Sequence, residues 1–169
     1  MGGSNQPHPD LVVAQKLAYE PSGLKCERLE KEAESEEYGA SVFEMNSRRI
    51  KFRVGKITPT KNGQFVTFWK RIGSGPILPH DLADPFDLLV VSVRSGEKLG
   101  QFVFPKAVLC ERGIVSKEGH GGKLAMRLYP PWDIADSRQA KKTQEWQLVH
   151  FFQISLSCIS TTRIQELFL

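Results

Sequence analysis

The chain is poor in cysteine, and its hydrophobic residues never gather into a long run. Three cysteines, Cys26, Cys110 and Cys158, lie far apart in 169 residues. They form neither a CxxC pair nor an even-numbered framework. That excludes a disulfide-stapled scaffold and points to a reduced, cytoplasmic protein. Four histidines, His8, His80, His120 and His150, are equally scattered, so a structural zinc site has no ligand set. No apolar stretch approaches the ~18 residues of a membrane span, so no membrane partner is expected. The first ten residues carry neither the basic nor the apolar region of a signal peptide. Gln6 stands where a myristoylation signal needs Ser or Thr. No P-loop, Rossmann glycine pattern, HExxH or nucleophile elbow is present, which removes the commonest nucleotide-binding, zinc-protease and α/β-hydrolase classes.

What is there suits one ordinary domain with its own core. Hydrophobic residues make up 40% and charged residues 25%, with a net charge of +4. This mild excess of Lys and Arg permits a polyanion partner without demanding one.

Residues 1–8 read as a flexible leader, 9–153 as a single domain and 154–169 as a C-terminal extension. Asp10 is placed to cap a short helix, LVVAQKLAY. LKCERLEKEAESEEYGA is expected to be a second helix, with Leu29 and Ala33 four apart on a thin apolar face. ASVFEMN and RRIKFRVGK alternate in the manner of strands. Ile50, Phe52 and Val54 share one face, and Lys51 and Arg53 the other. Asn46-Ser47 can join these strands. Asn62-Gly63 is a stronger turn signal, suited to a type I′ hairpin that returns the chain as QFVTFWKR. FDLLVVSV reads as a central strand buried on both faces, with QFVFP as the next strand. PKAVLCERGI is a short helix between Pro105 and Gly113, LAMRLY a strand, and SRQAKKTQEWQLVHFF a long helix. Asp136 and Gln139 form a capping box at the long helix's start. The order predicts an α/β (α+β) fold, a mixed central β-sheet with antiparallel hairpins flanked by helices.

The stretch from Arg48 to Arg71 holds eight Lys or Arg and no acid. Cations spaced along strands can track phosphates, and Phe65, Phe68 and Trp69 between them can stack on bases. Arg49, Lys51, Arg53, Lys56, Lys61, Lys70 and Arg71 are therefore candidate nucleic-acid contacts, with DNA as the expected polymer. A plainer reading stands beside it. Lys51 and Arg53 would be the solvent face of a half-buried hairpin and the aromatics its core face. Six glutamates between Glu27 and Glu37 can neutralise part of the patch. Asp84 and Asp87, at the mouth of FDLLVV, are placed either to hold a divalent cation or simply to turn the loop.

EYGASVF, IKFRVGKITPTKNGQFVTFWKR, FDLLVV, GQFVFPKAVL, RLYPPWD and QAKKTQEWQ follow in this order between about Leu11 and Phe152. Together they resemble the MepB family of bacterial proteins. The resemblance implies a fold similar to the restriction-endonuclease-like, PD-(D/E)xK class. Such nucleases place an Asp at one strand, an acid and a Lys one residue apart on the next, and often a Glu on a helix. Asp87 takes the first place. Gln101 stands where the acid belongs and Val103 where the Lys belongs. Lys106 would be a displaced amine, and Glu37 or Glu34 the helix acid. Asp87 and Glu37 would then be the ligands of Mg²⁺ or Mn²⁺. Losing one carboxylate and the paired Lys removes charge balance from such a metal site. The resemblance thus implies a nucleic-acid-binding protein with a degenerate active site. An atypical Mg- or Mn-dependent nuclease and a non-catalytic protein- or anion-binding module stay open as alternatives.

Overall fold

Apolar alternation builds one six-stranded sheet with a separate core on each face. The computed structural model describes residues 6–157 and 159–169; residues 1–5 of the expected leader, and Cys158, lie outside them. The strands are β1 (Glu27–Lys31), β2 (Ser41–Met45), β3 (Arg48–Val54), β4 (Lys56–Ile57), β5 (Gln64–Thr67), β6 (Lys70–Arg71), β7 (Ile77–Leu78), β8 (Leu88–Ser95), β9 (Lys98–Pro105), β10 (Ala125–Leu128) and β11 (Phe151–Ile154). The helices are α1 (Pro9–Ala14), continued by wider and tighter turns to Ser22, α2 (Lys106–Glu111), α3 (Arg138–Leu148) and α4 (Thr161–Phe168). The main sheet runs β1-β2-β3-β8-β9-β11; β3 and β8 are parallel and the other pairs antiparallel. A small sheet, β10-β5-β4, and a two-stranded ribbon, β6-β7, complete the fold. The expected mixed α+β architecture is the one observed. No helix among the described residues is long and apolar enough to cross a membrane.

β8 is buried through Val93, as an unbroken apolar run in a central strand should be. Its Leu88 and Val90 join Ile50, Phe52 and Tyr19, and α4 adds Ile164 and Phe168 to this helix-side core. Leu89, Val91 and Val93 join Phe102 and Phe104 on the other face, under Val66 and Leu128 of the small sheet and Leu109 of α2.

Several local expectations change. Residues 27–31 are not helical: they form β1, and a 3-10 turn follows at Glu36–Tyr38. A helix here would have no stripe wide enough to bury. An edge strand needs only Leu29 against the helix-side core, and its exposed charges deter pairing with another chain. The long basic hairpin is also redistributed. β3 pairs with β2 and β8, and only Lys56–Ile57 pairs back onto β5. The positive φ pair that a type I′ turn requires sits at Asn46 (54°) and Ser47 (61°), between the paired Met45 and Arg48. Gly63 is needed for a different reason. Its φ is +82°, and a Cβ there would lie 2.7 Å from the Leu128 carbonyl oxygen.

The third helix stops at Leu148, because Phe151 and Phe152 serve opposite faces of β11. Phe152 enters the helix-side core and Phe151 the other. Consecutive helical positions cannot reach both sides of a sheet. The caps shift too. Ser137 Oγ, not Asp136, accepts the Ala140 N–H at 3.0 Å. At the first helix, His8 Nδ1 accepts the Asp10 N–H, while the Asp10 carboxylate pairs with Arg94 at 2.7 Å.

Candidate nucleic-acid interface

β3 does put Lys51 and Arg53 on one face, but that face is covered. Arg53 is 1% exposed. Its guanidinium donates to both carboxylate oxygens of Glu32, at 3.3 and 3.0 Å, and to the Phe52 carbonyl, and lies 5.4 Å from the Phe68 ring centroid. Lys51 Nζ donates to the same carboxylate at 3.1 Å. Burial pushes the Glu32 carboxyl up, and the two cations more than offset this, leaving it below its ordinary range. Lys70 pairs with Asp84 at 2.7 Å and Arg71 with Glu34 at 2.9 Å. The upstream glutamates and the loop acids thus take up four of the seven cations. Arg49, Lys56 and Lys61 stay exposed, Lys56 over the Tyr38 ring at 4.4 Å. The lid on this face is His80, stacked on Phe68 at 4.1 Å and edge-on to Phe86.

The nuclease-type residues do not converge. Asp87 Oδ2 accepts the Arg49 backbone N–H at 2.8 Å, and the Asp87 carbonyl accepts the Lys106 N–H. Lys106 Nζ turns instead to the Asp84 carbonyl at 2.8 Å. Gln101 is fully buried on the opposite, helix-side face. It accepts from the Tyr19 hydroxyl and donates to Ser92 Oγ at 2.8 Å. Glu37 sits exposed in the turn beside Tyr38. Among the described residues no three His, Cys, Asp or Glu come together to hold a metal ion. The residues present therefore do not fit a Mg²⁺ or Mn²⁺ site built on Asp87 and Glu37.

A different cationic surface forms where the small sheet meets α3. In a strand register, directly opposed residues share a face. Phe65 opposes both Lys56 and Arg127, so these three make one cross-strand row. Beside that row opens a cavity of about 480 Å³, lined among others by Lys61, Arg112, Lys123, Arg127, Phe65 and Trp146. No Asp or Glu is among the residues lining it. Arg127 lies over Phe65 at 5.9 Å, and Arg112, at the end of α2, over Trp146 at 5.1 Å. Gln147 is fully buried and ties the walls together, accepting from the Tyr129 N–H and donating to the Arg127 carbonyl. Gln144 donates to the Pro130 and Asp133 carbonyls, so RLYPPWD is a packed corner. Of the seven candidate cations only Lys61 is among the described residues lining the cavity, and of the three candidate aromatics only Phe65. Arg112, Lys123 and Arg127 were missed because each stands alone in its own element, and no spacing rule announces that β10, α2 and the 116–123 loop meet.

Fold and surface together define a mixed α+β protein with an acid-free cationic groove. A family model described as MepB-like matches residues 32–153, and the chain belongs to that MepB-like family. Among solved structures it is similar to the crystal structure of MepB, with a TM-score of 0.75 and 31% identity over 86% of this chain and 97% of that one. A bacterial homing endonuclease, I-Ssp6803I, matches with a TM-score of 0.42 and 15% identity over 82% and 88%, a likeness too distant to assign anything to this chain. No curated protein matches.

Proposed function

We propose that this protein binds nucleic acid, with DNA as the expected polymer, through the groove between the β10-β5-β4 sheet and α3, without cleaving it. The observation that carries the reading is the convergence of Lys61, Arg112, Lys123 and Arg127 on one cavity with no acid in its lining. A solvated protein face ordinarily mixes signs. Four cations around a concavity whose lining holds no acid favour a polyanion, whose condensed counterions are released on binding. Arg138 and Lys142 of α3 line an adjoining hollow with Arg112 and lengthen the track. The restriction-endonuclease-like fold implied by the family resemblance belongs to this reading, with the nuclease positions turned to structural use. Asp87 holds backbone and Gln101 bridges core side chains, which supports binding over hydrolysis.

The test is a titration of a labelled oligonucleotide at several salt concentrations, with and without Mn²⁺. Binding that weakens steeply with salt and leaves the oligonucleotide intact is expected. No binding at low salt refutes the proposal, and shortened products that require Mn²⁺ replace it with a nuclease.

A further inference from the structure

We infer that the groove takes single-stranded nucleic acid and seats one unstacked nucleotide in the cavity between Arg112 and Arg127. The inference rests on the proposed function and narrows its ligand. A duplex keeps its bases stacked inside and offers a protein surface its phosphates and groove edges. For such a ligand a concave, half-open pocket is wasted. The cavity here is about 480 Å³, within the roughly 300–1,000 Å³ range of small-molecule sites.

The lining suits a nucleotide in each of its parts. Single-stranded bases are recognised by stacking on aromatic rings and on guanidinium planes. Two such plates stand in the wall, from separate elements: Arg112 against Trp146 and Arg127 against Phe65. Arg127 is further fixed by donating to Thr58 Oγ1 at 3.0 Å and to the Asn62 carbonyl at 3.2 Å. Its plane is therefore set before any ligand arrives, which spares ordering entropy on binding. Gln139 and Thr143 of α3 bring donors and acceptors to the same cavity, as the edge of an extruded base requires. Lys61 and Lys123 supply charge for its own phosphate. Outside, Arg138 and Lys142 border the adjoining hollow and are placed for the flanking phosphates.

The test compares a single strand of about 12 nucleotides, within the site sizes such grooves cover, with the same sequence as a blunt duplex. Anisotropy and intrinsic tryptophan emission are read at one salt concentration. The single strand is expected to bind at least about fivefold tighter, since stacking one base is worth about 1–3 kcal/mol. Saturation is expected to quench emission. Trp146→Phe keeps a ring for Arg112 and should retain binding while losing the quench, because Trp69 and Trp132 lie outside the cavity lining. Arg112→Gln should weaken the single strand about tenfold and the duplex far less. Far-ultraviolet circular dichroism matching the wild type qualifies each variant. Equal or tighter duplex binding, or a quench that survives Trp146→Phe, overturns the inference and leaves the proposed function standing. Absence of binding to either form at low salt overturns both.

Discussion

Glu32 clamps Arg53 through both carboxylate oxygens, the shorter contact being 3.0 Å, with the Phe68 ring 5.4 Å from the guanidinium. The pair joins the segment after β1 to β3 and turns a residue of the most basic stretch into an interior brace. Removing one partner of a buried pair leaves the other charge uncompensated, at a cost of about 3–5 kcal/mol. Glu32→Ala is therefore expected to lower stability by about 3 kcal/mol in urea denaturation. Glu32→Leu combined with Arg53→Met should recover most of it, since an apolar pair of similar volume often replaces a buried ion pair without loss. A loss under about 1 kcal/mol in the single variant would mean that water reaches Arg53.

Acid sensitivity follows from the same cluster. Burial, with Lys51 and Arg53 nearby, lowers the His80 pKa to about 4, against the opposing pull of Asp84 and Glu32. The unfolded chain takes up that proton near pH 6.5, so it binds more protons between these values. Stability is then complete above about pH 6.5 and falls as pH drops toward 4. His8 and His150, also lowered by burial, add in the same direction. Among the described residues neither His80 ring nitrogen has a hydrogen-bond partner, and Asp84 lies 3.6 Å away, so His80→Phe loses no hydrogen bond. Melting temperatures from pH 7 to pH 4 should decline less steeply in His80→Phe than in wild type. Equal slopes would remove His80 from the acid response.

Gly63 places the turn that carries Lys61. With a φ of +82° and a backbone oxygen 2.7 Å from any Cβ, an alanine has neither the conformation nor the space. Gly63→Ala is expected to cost about 1–3 kcal/mol and to weaken oligonucleotide binding as Lys61 and the Asn62 carbonyl shift. Unchanged stability and affinity would show that the turn relaxes freely.

Strong periodicity was readable from the residues alone: β8, β9, α2 and β10 lie where apolar runs and breakers place them. What escaped were features decided by partners distant in sequence. β1 is a strand because Glu27–Lys31 pairs with β2 at an open edge, and its acidic composition hides this. Asn46-Ser47 took the type I′ geometry because β2 and β3 are true neighbours, while Asn62-Gly63, the better local signal, closes only two paired positions. Arg53 alternates as expected, yet Glu32, from another segment, and the Phe68 ring cover it. Gln101 sits on the strand the family pattern indicates, but its pleat turns it toward Tyr19. The groove was least legible, because its cations come from a turn, a helix end, a loop and a strand.

The most direct measurement is the slope of log affinity against log salt for a labelled single strand, taken for wild type, Lys61→Gln/Lys123→Gln and Arg71→Gln. Each phosphate that the protein no longer neutralises should flatten the slope by about 0.7 for a single strand. The groove pair is therefore expected to bind more weakly, with a slope shallower by about 1.4. Arg71→Gln, whose partner is Glu34, is expected to match wild type. A slope that the groove substitutions leave unchanged, or that Arg71→Gln flattens instead, would contradict binding through the groove.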